Sequence, residues 1–309
     1  MTVKFNDEHK RYEIDCPTLD ADFVRVTPDG RHVKSGLSAY MTRHQNFRVI
    51  PKQAEVVYAH GRFYEPRVDL AGHSSEDGKL NLHRIFHADS KLGSAKSEKG
   101  KECREDGVGW QHGCLFDLID RAGRGNSSLD RALRGREWLI CDDMDRESAD
   151  FIAVWSDRIA YIHAKAFGET KQRSASAFHE ICSQAIKNLD YLSPYAQPDP
   201  RRVTRWQREW KAPLVERSVR RRIRRSGARG TVAKQAEAFM EAHMRVVTDP
   251  SARREVWMVL GSGFSLEAFN QERSQTVLRP EIVQIAYLLQ ATWAATSEIG
   301  ATLRLFCSP

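Results

Sequence analysis

The stretch that decides the fold runs from Cys141 to Ala166, CDDMDRESADFIAVWSDRIAYIHAKA. It reads as two apolar strands joined by a short polar turn. The first opens on Asp150 and runs from Phe151 to Trp155. Ser156, Asp157 and Arg158 supply the turn. The second runs from Ile159 to Ile162 and ends on His163-Ala164-Lys165. Alternate residues of a strand share a face, so His163 and Lys165 are expected to point the same way. A carboxylate at the start of one strand then stands near an imidazole and an amine at the end of its hairpin partner.

Outward from this hairpin, the pattern predicts a regular order of elements. Leu115, Phe116, Leu118 and Ile119 suggest a helix ending near Gly123. Trp138, Leu139 and Ile140 read as a strand reaching Cys141. After the hairpin, Phe178, Ile181, Cys182, Ala185 and Leu189 recur at helical spacing, which predicts a helix over 177–192. A helix over 232–247, a strand over 256–260, a long helix starting near Pro280 and a last strand over 301–307 follow.

Helix, strand, strand, strand, helix and a later strand, with Asp150 and an x-x-Lys motif on the hairpin, resembles the PD-(D/E)xK nuclease superfamily. The resemblance covers roughly residues 110–192, with a closing strand at 256–260. It also looks like the nuclease-like domains of bacterial antiphage defence systems, often found beside helicases. It implies an α/β fold with a mixed central sheet flanked by helices, a restriction-endonuclease-like core. It implies metal-dependent hydrolysis of phosphodiester bonds in DNA, with RNA as the other polymer of the right chemistry.

Carried over residue by residue, the resemblance makes Asp150 a direct ligand of Mg2+ or Mn2+, ions that take hard oxygen donors. The Ala164 carbonyl matches the backbone ligand. Lys165 matches the motif lysine that orients the attacking water and stabilises charge on the phosphate. His163 stands where the family has Glu or Asp. Imidazole is neutral and softer than carboxylate, so a His163 ligand predicts better activity with manganese than with magnesium. Gln184 matches a helix glutamine that some branches use to build the site, and it also reads as a surface residue. The additional acid that the family takes from its first helix has candidates in Asp117 and Asp120, and further ones in Asp142, Asp143 and Glu147. Taken singly, Asp150 also reads as a strand-start cap and Lys165 as a solvated strand-end lysine.

Residues 201–230 form a basic block, read as an insertion in the core. Arg220, Arg221, Arg222, Arg224 and Arg225 are its densest part, and Trp206 and Trp210 are interleaved at helical spacing. Arginine makes bidentate phosphate contacts and tryptophan stacks on bases, so the block suggests backbone contact with nucleic acid. It also reads as a solvated, partly disordered insertion or as a docking surface for an acidic partner, though a run this dense in arginine favours a polyanion. The formal net charge of +7 agrees with a polyanionic partner but is weak alone. The same features fit a second function, a non-catalytic nucleic-acid-binding or adaptor subunit with a degenerate nuclease core, working beside a helicase or another defence protein.

The remaining features bound the setting. The six cysteines include no C-x-x-C pair, which suits reduced cytosolic thiols. The first residues, MTVKFNDEHKRYEID, lack an apolar leader, and no apolar run is long enough for a bilayer span. A cytoplasmic protein with no membrane partner is expected. Residues 1–100 read as β-rich, with a hairpin around Pro28-Asp29-Gly30, and 110–309 as the nuclease-like core. Residues 88–109 are polar and read as a mobile loop or linker. GHSSEDGK over 72–79 imitates a phosphate-binding loop but has one residue too many between its glycines.

Overall fold

The computed structural model describes residues 1–20, 24–26, 31–34, 36–45, 47–49, 57–59, 62–64, 82–143, 147–167, 175–193, 196–212, 215–249, 251–275 and 277–309. The Pro28-Asp29-Gly30 turn, the 72–79 stretch and Ser174, a candidate helix cap, lie outside the described residues. The chain divides into two units, one of residues 1–69 and 75–80, the other of 70–74 and 81–309.

In the first unit, β1 (Thr2–Asn6) and β2 (Arg11–Asp15) form an antiparallel pair, as do β3 (Val24–Val26) and β4 (His32–Lys34). The latter two are the arms of the expected hairpin. A short helix α1 (Pro17–Asp20) leads on, and α2 (Leu37–His44) packs beside β2, where Ser38 accepts from the Cys16 N–H at 2.7 Å. The strands β5 (Arg48–Val49), β6 (Val57–Ala59) and β7 (Arg62–Tyr64) make a three-stranded antiparallel sheet. The helix α2 is a departure from the β-rich reading.

The second unit is built on one seven-stranded sheet. In chain order its strands are β8 (Phe86–Ala88), β9 (Trp138–Cys141), β10 (Phe151–Val154), β11 (Arg158–Lys165), β12 (Ile223–Arg225), β13 (Arg253–Leu260) and β14 (Ala301–Cys307). Their spatial order is β12-β9-β10-β11-β13-β14-β8. From β12 to β11 neighbours are antiparallel; from β11 through β13 and β14 to β8 they are parallel. The fold is α/β with a mixed sheet, as the sequence suggested.

Both faces of this sheet are covered, which is why its strands read as unbroken apolar runs. Ile152, Val154, Ile159, Tyr161, Val256 and Met258 face one core, with α5 (Ala175–Lys187), α7 (Val232–Thr248) and α9 (Pro280–Glu298) over them. Phe151, Ala153, Ala160, Ile162, Trp257 and Val259 face the other, under α3 (Leu115–Arg121) and α4 (Ser128–Leu133). The remaining helices are α6 (Pro200–Trp206) and α8 (Leu266–Arg273). Ser127 and Asp130 close a reciprocal capping box on α4, which satisfies two N–H groups the first turn would leave orphaned. The expected helix over 177–192 stops at Lys187 and tightens into a 3-10 turn over Leu189–Leu192.

Two segments differ from the sequence reading. Residues 88–109 are no loose linker: β8 pairs with β14 at one edge of the sheet, and Leu92, Ala95 and Cys103 are buried. Nor do residues 201–230 form a solvated insertion. They supply α6, an antiparallel bridge from Trp210 to Val219, and the edge strand β12.

Candidate active site at the end of β11

Asp150 lies just before β10, opposite the last residues of β11. Its carbonyl accepts from the Asp142 N–H at 2.9 Å, continuing the β9–β10 pairing. Its carboxylate Oδ2 accepts from the Ala164 N–H at 2.7 Å. The side chain thus takes the place of a ladder acceptor at the end of β11.

A segment that sequence reasoning passed over carries two more charged groups to this point. The Ser97 and Glu98 carbonyls accept from Leu115 N–H and Phe116 N–H, each at 3.0 Å, which ties the segment to the start of α3. The Ala95 carbonyl accepts from Ser262 N–H at 2.9 Å, just beyond the end of β13. A Cβ at Gly261 would stand 2.5 Å from that carbonyl, so only glycine permits the approach. The Lys99 ammonium sits 2.9 Å from Asp143 and 3.5 Å from Glu98. The Lys165 ammonium sits 2.6 Å from Glu180 of α5 and 4.0 Å from Glu98.

The electrostatics follow from crowding acids in a poorly hydrated place. Burial, then the charges of Glu98 and Asp143, push the Asp150 carboxyl well above the usual carboxylate range, against the pull of Lys99 and the Ala164 N–H. Burial also raises Glu98, with Asp143 adding to the shift and Lys99 and Lys165 opposing it. Burial works to lower Lys99, but Asp143, Glu98 and Asp150 outweigh it and hold this ammonium above the usual lysine range.

His163 and Lys165 share a strand face, and both meet α5. His163 is 3% exposed, and burial together with the Lys187 charge lowers its pKa to about 3. The imidazole is therefore neutral, in a field set by a cation. Glu180, Gln184 and Lys187 recur at helical spacing along one face of α5, and Gln184 is half-buried between the residues that address Lys165 and His163. Among the described residues, no group of three or more His, Cys, Asp and Glu side chains is gathered closely enough to hold a metal ion.

Of the other acids considered, Asp143 joins the site through Lys99 and also accepts from the Trp210 indole at 2.7 Å. Asp117 accepts from Gly113 N–H and contacts His112, each at 3.1 Å. Asp120 pairs with Arg224 at 2.7 Å. Asp142 is fully buried and points into a network of its own. It accepts from Arg202 at 2.5 Å, the Trp206 indole at 2.6 Å, and Ser148 Oγ at 2.9 Å. Nearby, the Tyr161 hydroxyl and His243 Nε2 are 2.7 Å apart.

The basic block divides accordingly. Trp206 and Trp210 are fully buried, so neither is available for base stacking, a correction to the sequence reading. Arg222 is buried and donates to the Asp143 carbonyl at 2.7 Å. Arg224 is bound to Asp120 and lies over the Trp110 ring. These two arginines hold the fold together; Arg220, Arg221 and Arg225 are exposed.

The described residues include no helix long and apolar enough to cross a membrane, and the cysteines are free and buried. Compared with known proteins, the chain matches no family model, no curated protein and no solved structure.

Proposed function

We propose that this chain is a metal-dependent nuclease that hydrolyses phosphodiester bonds in DNA, serving prokaryotic antiphage defence. One observation carries the reading: Asp150, Glu98 and Lys165 meet at the end of β11, with Asp150 and Glu98 pushed toward protonation by burial and by neighbouring carboxylates. Crowded carboxylates of this kind favour a hard cation. Asp150, Glu98 and the Ala164 carbonyl would hold a Mg2+ or Mn2+ ion. Bound there, the ion would polarise the phosphate and lower the pKa of a water molecule. Lys165 would donate to the phosphate and keep the water in line, with Glu180 fixing its ammonium and Gln184 beside it. The antiparallel run β9-β10-β11, followed by α5 and the parallel strand β13, supports the likeness to the PD-(D/E)xK superfamily. The exposed Arg220, Arg221 and Arg225 suit contact with the phosphate backbone. The defence role and a helicase partner rest on that likeness alone.

A second reading is a binding or adaptor subunit with a degenerate nuclease core. Its support is specific: Lys165 is already paired with Glu180, and no three-membered metal group is assembled among the described residues. Cleavage of plasmid and single-stranded DNA by wild type and Lys165→Ala, with manganese, magnesium or EDTA, separates the two. A nuclease loses cutting on the order of 10²–10³-fold in the variant while retaining DNA binding. A binder cuts under no condition and loses affinity only when Arg220, Arg221 and Arg225 are replaced by alanine.

A further inference from the structure

A second charged concavity lies against β14, two strands away from β11 in the sheet. Arg158, at the start of β11, reaches into it, while Arg304 and Phe306 come from β14 at the level of Ile162 and Ala164. The cavity, about 260 Å³, is lined among others by His87, Ser128, Arg131, Arg158, Arg304 and Phe306. Three guanidinium groups from three elements (α4, β11 and β14) converge there, and among the described residues no carboxylate lines it.

The charges beneath do not balance. Glu255, 2% exposed, is the acid shared by two of the three arginines. It stands 3.8 Å from Arg158 and 3.5 Å from Arg304, and it also accepts from the Trp257 indole at 2.7 Å. Arg158 is anchored further, by donation to the Ala132 carbonyl at 2.8 Å and by the Trp155 ring beneath its guanidinium. Arg304 is held less. Among the described residues its contacts are the Glu255 ion pair through Nε, the Trp257 ring and repulsion from Arg158, so its two terminal amino groups have no hydrogen-bond acceptor. Arg131, exposed on α4, adds a third positive charge; one of its amino groups donates to the Asn126 carbonyl at 2.5 Å and the other reaches Ser128 Oγ at 3.3 Å. Phe306 with His87 stacked on it at 5.0 Å makes a flat wall.

The two terminal amino groups of Arg304, with the charges of Arg131 and Arg158 beside them around a small cavity, match a compact oxyanion with several acceptor oxygens. The volume is slightly below that of ordinary small-molecule pockets, which run from about 300 Å³ upward, so the ligand is small or enters by one group only. We propose that this cavity binds a phosphate group, separately from the site around Asp150 and Lys165, with which it shares no lining residue. The phosphate belongs either to a free phosphate or to the backbone of a bound nucleic acid strand.

Calorimetric titration of the full chain, in EDTA, with inorganic phosphate and with a short single-stranded oligodeoxynucleotide tests this. Wild type, Arg304→Ala, Arg131→Ala and Lys165→Ala are compared. Arg131→Ala leaves both arginine partners of Glu255 in place, so it reports on the cavity even where Arg304→Ala unfolds the chain. A free-phosphate site loses phosphate affinity about tenfold or more in Arg304→Ala and severalfold in Arg131→Ala, with oligonucleotide binding unchanged. A backbone site loses oligonucleotide affinity in the same two variants. The proposal is overturned if neither ligand loses affinity in either variant, or if phosphate binding is lost only in Lys165→Ala.

Discussion

The Asp150 carboxylate accepts the backbone N–H of Ala164, and this one bond of 2.7 Å ties the candidate acid to the carboxyl end of the strand that carries Lys165. It also fixes Asp150 in a buried place beside Glu98 and Asp143, where burial and both charges raise its pKa.

Asp150→Asn is expected to abolish cleavage and to stabilise the fold. A carboxyl raised in the folded state favours folding below its unfolded pKa, and that contribution is lost as pH rises through the folded value. Above the unfolded carboxyl range the wild type therefore loses stability, either by holding a proton on this buried acid or by charging it among other acids, and the amide does neither. The amide oxygen can still accept from Ala164. Thermal unfolding in EDTA at neutral pH should give a higher Tm for Asp150→Asn, while nuclease assays should show loss on the order of 10³-fold. A lower Tm would mean that the carboxylate serves the fold rather than a ligand.

Glu98→Gln separates two donor sets. With Glu98 and Asp150 as the charged donors, the variant should need roughly 10–100-fold more divalent metal for half-maximal cleavage, and magnesium should serve wild type as well as manganese. With His163 as a donor instead, wild type should prefer manganese, and His163→Gln rather than Glu98→Gln should shift the metal titration. The buried position of His163 beside the Lys187 charge favours the first outcome.

The hairpin from Asp150 to Lys165 was legible because both its faces are buried. Continuous apolar runs bounded by polar residues leave little choice but central strands, and the period of two then places His163 and Lys165 together. Glu98 and Lys99 were not legible. They sit in a polar stretch whose composition resembles a linker, and what holds them is remote: Leu92 and Ala95 in the core, the start of α3, and the close approach that Gly261 allows. That glycine, directly after a strand parallel to β11, was the one available signal. Arg202, Trp206 and Trp210 misled for a related reason. Local composition counts their charge and aromaticity, but their acceptors, Asp142 and Asp143, lie some sixty residues earlier.

That remote pairing yields a stability prediction. Arg202 and Asp142 are both buried, and Ser148 and the Trp206 indole add hydrogen bonds to the pair. Removing one partner leaves the other charged and unpaired in the core. Asp142→Ala and Arg202→Ala should each cost about 3–5 kcal/mol in urea denaturation. The double variant should cost less than their sum, because the second substitution removes the stranded charge. Additive losses would show that the two residues do not act as a pair.

His243 gives the pH dependence a definite sign. It is buried on α7 against Tyr161, and burial with the Arg202 charge lowers its pKa to about 3. In the unfolded chain the imidazole titrates near 6.5, so below that pH the unfolded state binds a proton that the folded state refuses. Stability from this group is complete above about 6.5 and falls as pH drops toward about 3, by up to about 1.4 kcal/mol per pH unit. Asp150 and Glu98, raised in the fold, act in the opposite direction over their own range. The contribution of this histidine is isolated by comparing wild type with His243→Gln in urea denaturation between about pH 5 and 7, where imidazole titrates. The amide keeps an acceptor for the Tyr161 hydroxyl without taking a proton. The difference in unfolding free energy should shift in the variant's favour as pH falls. A constant difference across the range would mean that His243 is protonated equally in both states and that its burial beside Arg202 does not govern the acid limb.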